Sequence, residues 1–518
     1  MSYDQRLKTM ESNAARAADG TCPAAGYDFL LHMTVARNAK LRLLAVPLLI
    51  FNDILAFYLS ILIAYSVRLL LLPAVVKVFP ELPSLTFIFR SIWWVPFLGC
   101  LFFIFEKTYT KRLPYWQEAG QIVKTATLVF LLTMCIVFLA KQGDSTSRTT
   151  VMLSWVVSIF IVPTFRYLGK LLLAKLHIWE KPVLIVGAGE TGRLILNALD
   201  NEPTLGYKPV GFLDDDKIKH LHPPRLASGQ EVPVLGNLGD AEIIMERSGV
   251  RDVIVAVPGM PSKKLVQLVN RLQRKARNLM VVPDLFGMAM EGVGVQYLFN
   301  ERTLLLDIKN NLNDKFNIFI KKVFDLSAGL VIFTCLLPFM ILIAALIKIE
   351  SKGPVIFTHR RLGKGGVEFN CLKFRTMVSN AQQVLGELLE SNQDAYEEWN
   401  RDFKLKDDPR VTRIGGFLRK TSLDELPQII NVLKGEMSLV GPRPIVRDEI
   451  IKYGTSIDNY YQVLPGITGL WQVNGRNDVD YKTRVQIDTW YIRNWSLWLD
   501  ITLLIRTISV VIARKGAY

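Results

Sequence analysis

Cysteine is scarce and scattered: five residues in 518, at Cys22, Cys100, Cys135, Cys335 and Cys371. No C-x-x-C pair and no Cys/His cluster occurs, so neither a disulfide framework nor a structural zinc site is supported. Polar domains in a reducing, cytosolic setting fit that usage. The first forty residues lack the early apolar core of a cleaved signal peptide and read as a polar, Ala-rich tail. A separate basic tail is missing as well. The net charge of +15 therefore points to phospholipid headgroups, nucleotides and phosphates before nucleic acid.

What is present is length and apolar content. A chain of 518 residues has room for two or three domains. Half of it is hydrophobic, and the mean hydropathy of +0.25 suits a membrane part joined to water-facing domains. Four apolar stretches, Leu43 to Leu72, Phe87 to Phe105, Ala126 to Ala140 and Val151 to Leu173, approach the ~20 residues that cross a bilayer as helix. The third is the shortest. Arg37, Lys40 and Arg42 precede the first; Lys107, Lys111, Arg112 and Lys124 lie between the second and third; Arg166, Lys170, Lys175 and Lys181 follow the fourth. The positive-inside rule then places both ends of the bundle in the cytosol. Asp53 and Arg90, in or beside spans, are expected to make a buried polar contact rather than to serve transport.

From Lys181 the pattern changes to short β-rich runs alternating with helical ones. Val183 to Val186, Val210 to Leu213, Val253 to Val257 and Leu279 to Val282 read as strands, and Ala241 to Arg247 and Lys264 to Arg274 as helices. That alternation predicts a parallel α/β sheet. The first strand runs into Gly187, Ala188, Gly189, Glu190, Thr191 and Gly192, a G-x-G-x-x-G before a helix, and Asp214 ends the second strand where a ribose-binding acid would stand. The motif alone is weak. A Rossmann-like fold that keeps the tight turn without a dinucleotide is the expectation.

A third region starts near Asn317. The apolar run Leu326 to Ile349 is long enough to span, yet Lys321 and Lys322 precede it and Lys348, Lys352, Arg360 and Arg361 follow it. Charge on both flanks, with Pro338 in the middle, favours a helix that enters the membrane, bends and returns over a straight fifth span, which would place the C-terminal domain outside. Beyond it lie Lys373 and Arg375, on one face if the chain is extended. Next come Asp407, Asp408, Pro409 and Arg410, then Arg419 to Gln428 with the adjacent acids Asp424 and Glu425, and Arg443 between Pro442 and Pro444. Ser422 and Glu425 have capping-box spacing, but helix entry at Pro427 fits equally well. Arginine suits forked contacts to phosphate oxygens. One carboxylate suits Mg²⁺ beside substrate phosphates, and a second suits attack on phosphorus. These parts favour phosphoryl transfer from a diphosphate over proton transfer alone.

The stretches KFRTM, DDPRVTRIGGFLRKTSLDELPQIINVLKGEMSLVGPRP and PGITGLWQVNGRNDVDY resemble the polyprenyl-phosphate hexose-1-phosphate transferases. These are monotopic phosphoglycosyl transferases that start bacterial surface glycans. The front half is similar to that of the larger members. The resemblance implies three parts: a membrane α-helical bundle, an α/β Rossmann-like module, and a mostly α monotopic catalytic domain with a re-entrant helix. The expected limits are a tail over 1–40, four spans over 41–178, the module over 179–300, a linker over 301–316 and the catalytic domain over 317–518.

By resemblance, Asp424 attacks the sugar-bearing phosphate of a UDP-sugar and expels UMP, and Glu425 binds Mg²⁺. Arg419 and Arg443 hold phosphate oxygens, with Lys373 and Arg375 supporting the same pocket. Undecaprenyl phosphate then takes the sugar phosphate at the cytoplasmic face of the inner membrane. Galactose is the expected hexose and glucose the second, with a homodimer as the expected assembly. Pro338 matches the family's bend, although Leu337 stands where a small residue is frequent. Gly475, Arg476, Asn477 and Asp478 also match, for sugar contact or packing. Trp490, Trp495 and Trp498 fit either an interfacial helix or a core. Two rivals remain. A membrane nucleotide-sugar dehydratase needs a Tyr-x-x-x-Lys pair, which does not occur in the chain. A polysaccharide transporter or assembly factor would be indifferent to loss of Asp424.

Overall fold

The computed structural model describes residues 41–70, 72–75, 84–86, 92–139, 147–226, 229–284, 293–298, 303–307, 311–393, 396–397, 405, 408–474 and 480–513. The polar tail, Arg90, Asp407 and the stretch from Gly475 to Asp478 lie outside them. The chain divides into two compact units, Met1–Asp284 and Leu285–Tyr518.

The longer helices that open the first unit are α1 (Ala45–Leu70), α2 (Val95–Phe105), α3 (Tyr115–Leu139) and α4 (Arg148–Lys175). Helices α1, α3 and α4 are long and apolar enough to cross a bilayer, whereas α2 has 11 residues. Helix α3 begins eleven positions before the expected Ala126, because its polar first turns find partners inside the bundle. Both oxygens of Glu118 accept from Lys170 Nζ at 2.7 Å, and one accepts from Arg166 at 3.4 Å. Arg166 in turn forks onto Asp53, which also accepts from the Tyr109 hydroxyl at 2.7 Å. Two acids thus neutralise two bases in a buried quartet, the arrangement that makes interior charge tolerable. Arg166 and Lys170 are therefore bundle interior, not flanking charge, and Lys124 lies within α3. The expected buried contact of Asp53 is with Arg166.

The α/β module carries five parallel strands in the order β3-β2-β1-β4-β5. These are β1 (Lys181–Val186), β2 (Tyr207–Leu213), β3 (Val234–Gly236), β4 (Asp252–Val255) and β5 (Asn278–Val281). Helices α5 (Glu190–Asn201), α6 (Ala241–Ser248) and α7 (Ser262–Gln273) connect them. Val183 to Val186 are wholly buried, as a strand covered on both faces requires. At three residues, β3 was too short to show a period. Arg112, between α2 and α3, donates to Leu205 O at 2.6 Å and Trp179 O at 3.0 Å, stacks on the Trp179 ring, and so ties the bundle to the module.

In the second unit, β6 (Gly294–Leu298) and β7 (Thr303–Asp307) form an antiparallel hairpin, so the segment expected as a linker contributes a strand. Helix α8 (Lys315–Glu350) runs 36 residues with Pro338 inside it. Then come the antiparallel hairpin β8 (Ile356–Leu362) and β9 (Glu368–Phe374), followed by α9 (Arg413–Thr421) and α10 (Gln428–Leu433). A parallel pair follows, β10 (Ser438–Val440) with β11 (Gly466–Thr468). Helices α11 (Leu470–Asn474), α12 (Tyr481–Arg493) and α13 (Leu497–Ala513) end the unit. Met340, Ile343 and Ile347 of α8 share one core with Phe374, Leu418, Val432, Leu439, Tyr491 and Leu503. Trp495 belongs to that core, whereas Trp490 is exposed and Trp498 half-buried.

Candidate active site

The two adjacent acids sit on a turn that their neighbours force. Helix α9 starts at Thr412, whose hydroxyl accepts from Gly415 N at 2.9 Å. A Cβ on Gly415 would come within 2.0 Å of Thr376 O, so only glycine lets α9 lie against the KFRTM segment. The helix ends at Ser422, which adopts the left-handed conformation with φ 56°. Leu423–Glu425 then make one 3-10 turn, and Pro427 leads into α10. The capping box is not formed, since Ser422 closes the preceding helix and its side chain makes no cap bond. Helix entry at Pro427 is the arrangement present.

Strand β9 projects Cys371 and Lys373 toward the same turn, and Lys373 Nζ donates to Glu425 Oε1 at 2.7 Å. Arg419 uses its Nε to donate to Thr376 Oγ1 at 2.9 Å. Arg375 donates through Nη2 to Ser351 O and Oγ, while its Nε and Nη1 are buried with no partner among the described residues. Arg443 is presented by crossed backbone bonds: Gly441 N donates to Thr468 O at 2.9 Å and Gly466 N to Pro442 O at 2.8 Å.

A cavity of about 1010 Å³ takes in Lys373, Arg375, Arg419, Asp424, Glu425 and Arg443 together. Burial raises the Asp424 carboxyl above the usual aspartate range, and the Glu425 charge beside it adds to that; Lys373 and Arg419 pull the other way. Burial, with Arg361 and Lys373 nearby, lowers His359 on the cavity wall and favours its neutral form. Asp408 and Arg410 pair bidentately at 2.7 and 2.6 Å away from this cavity lining. Sequence reasoning gave no role to Thr376, Trp471 or Gln472. The last two lie in the quoted PGITGLWQ stretch, where only their aromatic and amide character was a signal.

The α/β module holds the glycine loop as expected. Gly187 has φ +104°, and a Cβ on Gly192 would meet Gly187 O at 2.0 Å, so both positions need glycine. Gly189 faces open space apart from Lys219 Nζ. Asp214 Oδ2 accepts from Ala188 N at 2.7 Å and Lys219 Nζ at 3.0 Å, and Oδ1 from Asp216 N at 3.0 Å. Burial opposes its charge, but these bonds outweigh it and leave the carboxyl below its ordinary range. Both oxygens a ribose would seek are thus already engaged within the fold.

Helices that suit a bilayer, joined to a basic cavity with adjacent carboxylates, define a membrane-bound group-transfer enzyme. Residues 316–514 match the model of the bacterial sugar transferases, and residues 108–283 match that of a CoA-binding domain. The chain belongs to the bacterial sugar transferase family. It is 38% identical over 482 residues to the undecaprenyl-phosphate galactose phosphotransferase of Salmonella typhimurium, covering 86% of this chain and 98% of that one. Identity to the UDP-glucose:undecaprenyl-phosphate glucose-1-phosphate transferase of Xanthomonas campestris is 33%, over 78% of this chain and 83% of the relative. The exopolysaccharide production protein ExoY of Rhizobium meliloti is 50% identical over 198 residues, 38% of this chain and 88% of ExoY.

Proposed function

We propose that the chain transfers a hexose 1-phosphate, galactose 1-phosphate first, from a UDP-sugar to undecaprenyl phosphate and releases UMP. This would be the first membrane step of a surface glycan such as an O-antigen or exopolysaccharide. The observation that carries the reading is the shared cavity. It sets the desolvated Asp424 beside the Lys373–Glu425 pair and among three arginines, in a chain aligned over 98% of a galactose phosphotransferase.

An Asp424 oxygen attacks the phosphorus that bears the sugar. The bond from that phosphorus to the UMP oxygen breaks, and UMP leaves with the electron pair. An oxygen of the lipid phosphate then attacks the same phosphorus and frees the Asp424 carboxylate. Arg419, Arg443 and Arg375 hold phosphate oxygens, and Lys373 orients Glu425 through the 2.7 Å bond. The carboxylate pair fits Mg²⁺, which takes one or two carboxylates and draws its other ligands from substrate phosphates and water; Glu425 would hold it. When bound it would neutralise charge building on the diphosphate.

Membrane placement follows the same reading. Both ends of α8 bond to one compact unit: Lys321 donates to Val440 O at 3.1 Å, and Glu350 accepts from Arg413 N at 2.8 Å. A straight helix of 36 residues would be about 54 Å long and would carry its ends to opposite sides of a ~30 Å core. Contacts at both ends therefore support entry and return about Pro338, with the active site on the cytoplasmic face of the inner membrane. A second copy of the chain is the expected partner.

The test is UMP release from a panel of UDP-sugars, with undecaprenyl phosphate and Mg²⁺. UDP-galactose should be used first, with UDP-glucose as the competing reading. Asp424→Asn should abolish release, and a sugar phosphate should be detected by mass on the Asp424 peptide of the native protein. Undiminished UMP release by Asp424→Asn would end the proposal.

A further inference from the structure

One face of the β8–β9 hairpin forms a wall of the transfer cavity and carries side chains that the proposed transfer leaves without a task. Phe357 and His359 stand two residues apart on β8, opposite Lys373 and Cys371 of β9, so all four project to the same face. All four line the cavity that holds Asp424. Phe357 is 53% exposed and His359 is exposed as well, so a ligand in the cavity can reach both. Their rings lie 6.3 Å apart and are inclined by 57°. Lys373, in the same row as Phe357, bonds Glu425 at 2.7 Å, and His359 stands one row farther on, about 7 Å along the strand.

The imidazole is held as a neutral donor. Arg361 Nη2 lies 3.3 Å from His359 Nδ1, and a guanidinium only donates, so Nδ1 accepts and the ring proton sits on Nε2. Burial, with Arg361 and Lys373 nearby, holds the ring below its ordinary pKa and keeps a second proton off it at neutral pH. Arg361 Nη1 also donates to Pro444 O at 3.4 Å, which ties this wall to the turn that presents Arg443. An open phenyl face beside an uncharged N–H suits a flat, uncharged ring with an acceptor in its plane. A phosphate would prefer the cations, and a hexose has no planar face. Uracil has both features, a face that stacks and carbonyl oxygens in the plane of the ring.

We propose that Phe357 and His359 bind the uracil of the UDP-sugar: the base stacks on the Phe357 ring, and one of its carbonyl oxygens accepts from His359 Nε2–H. Arg361 is a positioning residue that fixes the tautomer. The inference rests on the transfer reading above, in which a UDP-sugar places its sugar-bearing phosphorus at Asp424. The ribose and diphosphate then span the interval between this wall and the two acids.

Calorimetric titration of the full-length protein in detergent tests it, with UDP and separately with pyrophosphate, which keeps the diphosphate and lacks the base; both are titrated with Mg²⁺. Phe357→Leu removes the ring and His359→Leu the donor, both at exposed strand positions. Phe357→Leu should weaken UDP binding about tenfold, as loss of base stacking does, and His359→Leu about three- to tenfold, as loss of a neutral hydrogen bond does. Pyrophosphate binding should not change in either variant. Phe357→Tyr and His359→Gln, which keep the ring and the neutral donor, should hold most of the UDP affinity. Unchanged UDP affinity in either leucine variant would overturn the proposal, and so would an equal loss for pyrophosphate, which is what a merely structural role predicts. A raised KM for UDP-galactose with unchanged UDP affinity would set the wall against the hexose and overturn it as well. A native protein that binds UDP but transfers nothing would refute the function reading and leave the titrations to decide the subsite; one that binds no UDP would overturn the subsite itself.

Discussion

Asp500 offers the sharpest test of how the membrane helix is joined to the catalytic frame. Its carboxylate is fully buried and accepts from Lys321 Nζ at 2.7 Å, Tyr491 Oη at 2.7 Å and Trp495 Nε1 at 2.9 Å. Asp500→Asn keeps the volume and removes the charge, leaving the Lys321 ammonium with Val440 O at 3.1 Å and Asp325 Oδ2 at 3.8 Å. Breaking a buried pair costs about 3–5 kcal/mol, and the residual contacts to Lys321 place this case near 3 kcal/mol. The effect should also reach activity. Lys321 donates to Val440 O, three residues before Arg443, so UMP release should fall along with stability. Denaturant unfolding in detergent would measure the loss. A double-mutant cycle with Lys321→Met should show coupling of roughly 2 kcal/mol, because the second substitution removes the charge that the first leaves stranded. A loss below about 1 kcal/mol, with the two substitutions additive, would mean that Asp325 alone balances Lys321 and would refute the reasoning.

Other outcomes follow from single contacts. UMP release should decline with falling pH at a higher value than an ordinary aspartate would give, because burial and Glu425 raise Asp424 and the attacking form is the carboxylate. Lys373→Met removes the cation that opposes this, so the acid limb of the pH–rate profile should move further up. Burial pushes the Asp488 carboxyl up to about 7, against about 3.9 in the unfolded chain. The stability it contributes when neutral is fully present below about pH 4 and is lost as pH rises through about 7. The melting temperature should therefore be higher at pH 5 than at pH 8, and Asp488→Asn should narrow that gap. Gly192→Ala drives a Cβ to 2.0 Å from Gly187 O, so it should lower the cooperative melting of the α/β module by a clear margin.

What the sequence made legible was local. The strand, G-x-G-x-x-G and helix order at Lys181–Asn201 reads directly, because a tight turn between a buried strand and a helix admits few residue types. The period-two placement of Lys373 and Arg375 likewise brings both to one cavity, as an extended strand must. What stayed hidden was set by partners far along the chain. Arg166 looks like flanking charge until Asp53, 113 positions earlier, is beside it, and Lys170 until Glu118, 52 positions earlier, is.

The Asp424–Glu425 turn combines both cases. Its local spacing allowed a capping box or helix entry at Pro427, and the spacing alone did not choose between them. The choice falls to Gly415, whose missing Cβ lets α9 lie against Thr376 and so end at Ser422, and to Lys373, which takes Glu425 from 52 positions away. A carboxylate engaged with a cation on a neighbouring strand is not spent on capping its own helix. Glu425 is thereby aimed into the cavity, and Asp424 stands beside it, partly desolvated and with its charge disfavoured. On the proposed mechanism, that environment raises the basicity of the carboxylate that would attack phosphorus. The same packing that obscured the site's geometry in the sequence would then equip Asp424 for the proposed attack.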